Sequence, residues 1–178
     1  MTDAFIAPPR RIPLILRVGL WITRRRTGDD PLIARLLAWD PRTAVGTGLM
    51  EALVVHARGR ADERVLKLVR MTVSAEVDCP FCIGFNGRDW EKLLTEDELA
   101  VVQGRVAPDT VATLTAAERL AIEFARAQCQ TPLAIDPTFG PRLREHFSER
   151  EIVVLASTAA QVNHWARLVQ GLGCPPMG

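Results

Sequence analysis

Apolar positions recur every three or four residues along most of the chain, and nowhere do apolar and polar residues alternate over the length of a strand. That period predicts helices at about 13–26, 31–39, 42–58, 61–76, 79–93, 96–103, 116–130, 137–146 and 149–172, and so an all-α fold. Three starts carry a hydroxyl three residues before a glutamate: Thr95 with Glu98, Thr115 with Glu118, and Ser148 with Glu151. In that capping box each side chain accepts an otherwise unpaired backbone N–H from the other residue. Asp30-Pro31 and Asp40-Pro41 mark two further starts, an acid at the N-cap with proline at the first helical position. Segments 104–114 and 131–137 read as connectors. The last helix is apolar on more than one face, through Ile152, Val153, Leu155, Ala159, Val162 and Ala166, which predicts central burial or a subunit interface.

Composition narrows the class. A hydrophobic fraction of 48% in 178 residues suffices for one core, here divided into an N-terminal arm, 1–30, and a main domain, 31–178. A net charge of +1 gives no field for nucleic acid, so no nucleic-acid partner is expected. No stretch approaches the roughly 20 apolar residues that span a bilayer, so no stable membrane insertion is expected. The run "RRIPLILRVGLWITRRR" has an arginine inside its apolar part and no small-residue cleavage site, which argues against a signal peptide and for the cytoplasm. Its arginines 24–26, beside Trp21 and Ile22, suit an anionic membrane surface, although packing on the domain or on a neighbouring subunit is preferred. The only lysines are Lys67 and Lys92, which makes a functional lysine conspicuous.

The chemistry concentrates in "AEVDCPFCIGFNGRDW", residues 75–90. Cys79 and Cys82 are i and i+3, neighbours on one helix face and close enough to bridge. With Asp78 as N-cap, Cys79 falls in the first helical turn, where unpaired N–H groups and the helix dipole favour a thiolate. Asn86 and Trp90 continue the stripe by one turn each. A reactive dithiol, half of a structural zinc site, and two cysteines packed as small hydrophobes all fit that spacing. The zinc reading lacks its second pair: Cys129 and Cys174 stand singly, and His56, His146 and His164 form no ligand motif. No metal or cofactor is expected, and the chain has neither a phosphate loop nor a dinucleotide fingerprint.

With its flanks, the segment "LKLVRMTVSAEVDCPFCIGFN" resembles the carboxymuconolactone decarboxylase and AhpD-like alkylhydroperoxidase superfamily, whose pattern is E-x11-C-x2-C-x3-H. The likeness continues through "LTEDELAVVQG", "LTAAERLAIEFARAQCQTP" and the closing segment with Asn163 and Arg167, covering about residues 30–175. It implies an AhpD-like helical domain with an N-terminal helical arm, assembled as a trimer or hexamer. It also implies attack by Cys82, resolution by Cys79 and resetting by an external thiol reductant system. The departures are specific. Lys67 stands where the pattern has glutamate, Asn86 where it has histidine, and Phe81 where well-known peroxidases carry another histidine.

Asn86 cannot move a proton at neutral pH, whereas a lysine near the sulfurs lowers a thiol pKa by its charge. Glu76 and Asp78 oppose that effect or serve as local proton acceptors, and Glu63 can pair with Lys67. The sequence therefore leads to a thiol-dependent oxidoreductase, peroxidase-like or disulfide-exchanging, acting on a small hydroperoxide or a disulfide partner. Its expected catalytic set is Cys82, Cys79, Lys67, Asn86 and Glu76, with Arg70, Phe81 and Trp90 lining the substrate. By helix position alone the attacking sulfur is Cys79. The alternatives are a cofactor-free lyase or decarboxylase acting on a small carboxylated lactone or other organic acid, with Arg70 holding the carboxylate, and a non-catalytic assembly module.

Overall fold

Every regular element among the described residues is helical. The computed structural model describes residues 4–27, 32–55 and 61–176. Helices α1 (Leu14–Thr27), α2 (Leu32–Leu36) and α3 (Pro41–Met50) lead into α4 (Glu63–Glu76) and α5 (Pro80–Gly87). Then follow α6 (Glu96–Val102), α7 (Ala116–Ala127), α8 (Phe139–His146) and α9 (Glu149–Gly171). The three capping boxes form as expected, and Asp40 accepts the backbone N–H groups of Arg42 and Thr43 at the start of α3. Asp30-Pro31 and His56 lie outside the described residues.

The differences lie at element ends. The helix expected over 31–39 tightens into a 3-10 turn at Leu37–Trp39. The one expected over 42–58 passes into a π-helical turn at Glu51–Val55. The one expected over 79–93 stops at Gly87, Asp89 takes a left-handed backbone, and Trp90–Lys92 form a separate 3-10 turn. Asp78 is not the N-cap of α5. It also has a positive φ of 44°, and Cys79 takes the N-cap. The chain reverses so tightly between α4 and α5 that one residue must turn left-handed, and aspartate tolerates that better than most.

Helix α4 is the element on which the others are built. Val65, Leu66, Val69 and Val73 pack with α7, α8 and α9. Leu68 and Met71 pack with α6 and with Leu114 and Ile122. A third cluster joins Ile33 and Leu37 to Cys79, Cys82, Ala166 and Val169, beneath the 32–39 segment. The remaining face of α4 carries Lys67, Arg70 and Ser74.

Arg64, at the start of α4, ties the same helix to α6 and α7. Its guanidinium donates to Glu98 and to Glu118, each at 2.6 Å, and to the Leu93 carbonyl. Glu98 and Glu118 are also the capping-box glutamates, so one arginine sets two helix starts against α4. Burial pushes the Glu98 carboxyl up. The Arg64 bonds, the Thr113 hydroxyl and the Thr95 N–H outweigh it and bring the pKa from 4.5 down to about 2.

A carboxylate whose folded pKa is depressed contributes stability that is complete above its unfolded pKa and lost as pH falls through its folded one. Stability should therefore drop between pH 4.5 and about 2. Thermal unfolding across that range should show a shallower drop for Glu98→Gln than for the native chain. Equal slopes would contradict the assignment.

Candidate functional site: the turn between α4 and α5

Cys79 and Cys82 are joined by a disulfide, with Cα atoms 5.2 Å apart. Proline at the first position of α5 starts the helix without a wasted donor, and the Cys79 sulfur accepts the Cys82 N–H at 3.2 Å. Neither sulfur is open to water: Cys79 is 0% and Cys82 3% exposed. Cys174 packs against the same apolar cluster, and its N–H bonds to the Val169 carbonyl at 3.0 Å. Gly173, at φ +66°, makes the left-handed helix end that permits this.

Lys67 does not aim its ammonium at the sulfurs. Its Nζ donates to the carbonyls of Asn86 and Arg88, both at 2.6 Å, at the C-terminal end of α5. That is the negative end of a helix, where unpaired carbonyls take a cation. Burial, followed by the charge of Arg70, pushes the Lys67 pKa below its ordinary value. Asn86 is buried and donates its Nδ2 to the Ser74 hydroxyl at 3.0 Å, which in turn donates to the Arg70 carbonyl at 2.8 Å. Helix α5 is thus pinned to α4 at two points, by Lys67 and Asn86, the residues at which the chain departs from the E-x11-C-x2-C-x3-H pattern.

The other expected residues are dispersed. Glu76 pairs with Arg126 of α7 at 2.9 Å rather than standing alone beside the thiols. Burial lowers the Arg70 pKa, opposed by the charges of Glu51 and Glu63. Glu51 also accepts the Trp165 indole N–H at 2.5 Å. Phe81 stacks on Phe85 at 6.2 Å, with Arg88 over the Phe85 ring at 5.6 Å. Trp90 leaves the cysteine stripe, because the helix ends before it, and packs on the α4–α6–α7 cluster. Asn163 donates toward Cys129 at 3.7 Å and Arg167 to Thr131 at 3.3 Å. Burial raises the Cys129 and Cys174 thiol pKa values.

Two residues had escaped the sequence reading. Ser74 lies seven residues after Lys67 on the same α4 face, a spacing that marks it once α4 is known to face α5. Gln170 of α9 donates its Nε2 to the carbonyls of Val77, at 3.1 Å, and Asp78, at 3.4 Å. No local pattern points to a glutamine ninety residues from the turn it holds.

The surface is hollowed near the N-terminal segment and near the cysteine turn. The first cavity, of about 680 Å³, lies along Ile6, Ala7, Pro8, Arg10 and Trp39. The other, about 330 Å³, adjoins the cysteine turn through Asp78 and Ile83, with Met71, Val102 and Arg105. Among the described residues no three His, Cys, Asp or Glu side chains converge as a metal site, and no helix is long and apolar enough to cross a membrane.

No family model matches the chain. The chain is 27% identical over 175 residues to the uncharacterized protein YnjA of Escherichia coli strain K12, covering 97% of this chain and 94% of that one. Among solved structures it is similar to the debrominase Bmp8, with a TM-score of 0.83 and 17% identity over 99% of this chain and 94% of that one. It is also similar to the alkylhydroperoxidase AhpD core of an uncharacterized peroxidase-related protein from Ralstonia eutropha JMP134. There the TM-score is 0.80, with 18% identity over 98% of this chain and 92% of that one. The fold is the all-α AhpD-like fold.

Replacing Lys67 by methionine keeps the buried stem and removes both bonds to the end of α5. A hydrogen bond to a charged group contributes about 1.5–3 kcal/mol, so Lys67→Met should cost at least about 2 kcal/mol by urea unfolding. It should also speed amide hydrogen exchange in 84–88 while leaving 65–72 protected. Unchanged exchange in 84–88 would refute the pinning role.

Proposed function

We propose, on the premise of the AhpD-like fold, that this protein is a thiol-dependent oxidoreductase in which Cys79 and Cys82 cycle between dithiol and disulfide. The observation that carries the reading is the Cys79–Cys82 bond at the start of α5, in a turn held from both α4 and α9. A hydroperoxide, ROOH, is the substrate. A thiolate attacks its terminal oxygen, the O–O bond breaks and ROH leaves with a proton. The second thiol then displaces hydroxide from the sulfenic acid, which departs as water once protonated, and the disulfide forms. An external dithiol returns two electrons and restores the pair. A disulfide-bonded partner enters the same cycle by exchange.

Lys67 and Asn86 support the site by fixing α5, and Phe81, half-buried, packs against the apolar cluster that holds both cysteines. Glu76 is paired with Arg126, and Trp90 packs elsewhere, so neither has a part in this cycle. The lyase reading finds less support: Arg70 is drawn towards the charges of Glu51 and Glu63. Assembly into a homo-oligomer is supported by the outward faces of α1 and α3. There Leu14, Ile15, Trp21, Leu49 and neighbouring Leu53 are each more than half exposed, an area that lone chains seldom leave in water.

The test is kinetic. Fully reduced protein, sized by sedimentation to show a trimer or hexamer rather than a monomer, is mixed with one equivalent of tert-butyl hydroperoxide. Mass spectrometry follows the Cys79–Cys82 bond. Oxidation at least about 100-fold faster than a free thiol, with no bond formed in Cys82→Ser, is the expected result. A rate equal to free cysteine would sink the peroxidase reading.

A further inference from the structure

We infer that Cys79, rather than Cys82, is the attacking sulfur in this protein, and that Gln170 is the residue that positions it; the inference rests on the thiol-oxidoreductase reading above. The two cysteines are equally buried in one apolar cluster, so desolvation disfavours a thiolate at both alike. What separates them is the donor each can reach. Cys79 is the N-cap of α5, and its sulfur accepts the N–H of Cys82, the third residue of the helix, at 3.2 Å. On reduction that contact becomes a charge-assisted bond at the positive end of a helix dipole. Cys82 lies inside the helix, and the groups that the family pattern would supply to it are engaged or absent. Lys67 is bound to the Asn86 and Arg88 carbonyls, Asn86 to Ser74, and position 81 is phenylalanine.

The charges around the turn leave this order standing. Glu76 is paired with Arg126 of α7, and Asp78 is exposed to solvent. Arg70 lies within reach of Glu51 and Glu63. From the 32–39 segment and α9 the packed side chains are Ile33, Leu37, Trp165, Ala166, Leu168 and Val169, with Leu172 and Cys174 just beyond.

Gln170 fixes the approach to Cys79. Its amide holds the carbonyls of Val77 and Asp78, the two peptide groups before the cysteine, and so keeps Asp78 in its left-handed conformation. The main chain of Gln170 is itself pinned, since its carbonyl accepts the Gly173 N–H at 2.9 Å. The sulfur therefore sits over the helix start because α9 holds the turn there.

The experiment uses the full chain in a Cys129→Ser, Cys174→Ser background, reduced and then mixed with 5,5′-dithiobis(2-nitrobenzoate). The Cys79 thiolate attacks one sulfur of the reagent, its S–S bond breaks, and one thionitrobenzoate leaves. The Cys82 thiolate then attacks the Cys79 sulfur, closes the native disulfide and expels the second, both thiol protons passing to buffer. The donor to Cys79 is a backbone N–H and survives in Cys82→Ser. That variant should release one thionitrobenzoate where the parent releases two, with the parent's rate constant for the first attack. Cys79→Ser should be at least about 10-fold slower, its rate–pH midpoint about one unit or more higher.

Gln170→Leu should raise the midpoint of Cys79 and leave that of Cys82 unchanged. Equal shifts at both sulfurs would overturn its positioning role. The reverse order of the two serine variants would return the attack to Cys82 and overturn the inference while sparing the thiol function. Reaction of both variants no faster than free cysteine would overturn the inference and the thiol reading together.

Discussion

Lys67 carries an ammonium into the interior and sets it against the two carbonyls that end α5. Without those bonds a short helix of eight residues, with one cysteine inside it and the other at its N-cap, would be left with apolar packing and the single Asn86–Ser74 bond to hold it against α4. With them, and with Asn86 on Ser74 about two turns along α4 from Lys67, α5 is an outgrowth of α4. Helix α4 is fixed in its turn by Arg64 between the starts of α6 and α7, and by its packing on α9. The position of the two sulfurs is thus set by buried charge and hydrogen bonds along one helix, from Arg64 at its start to Ser74 near its end.

This arrangement explains how the turn keeps its place although it differs from the E-x11-C-x2-C-x3-H pattern it resembles. Glutamate and histidine at these positions would form a path for protons. Lysine and asparagine form a clamp: one cation on main-chain carbonyls and one amide on a hydroxyl. A clamp moves no proton; on the proposed thiol chemistry, formation of the thiolate would rest on the helix start, where the Cys82 N–H already points at the Cys79 sulfur. The disulfide is also sealed under Ile33 and Leu37 of the 32–39 segment, which makes access to the sulfurs part of their chemistry.

Much of this was legible in the chain because it is local. Helix period, the three capping boxes and the Asp40-Pro41 start are decided within four residues, and each appears where expected. The Cys79–Cys82 proximity is likewise a matter of i and i+3. What the chain hid is non-local or stereochemical. Asp78 looked like an N-cap because acids favour that position, but the reversal between α4 and α5 forces it left-handed and hands the cap to Cys79. Trp90 continued the cysteine stripe only while the helix was taken to run through Gly87. The target of Lys67 is nineteen residues away and that of Gln170 more than ninety, on carbonyls that carry no side-chain signature.

The central claim is that the Cys79–Cys82 pair is a working dithiol in a scaffold that keeps its shape in both redox states. Equilibration of the protein in graded dithiothreitol buffers tests it most directly, with the pair read by alkylation and mass spectrometry and the fold by near-ultraviolet circular dichroism. The account predicts one reversible two-electron transition, with the folded spectrum and the helix content retained when the pair is reduced, because Lys67, Asn86 and Gln170 hold the turn without the bond. Loss of the folded spectrum on reduction, or a bond that yields only after unfolding, would make the disulfide a structural staple and contradict the account.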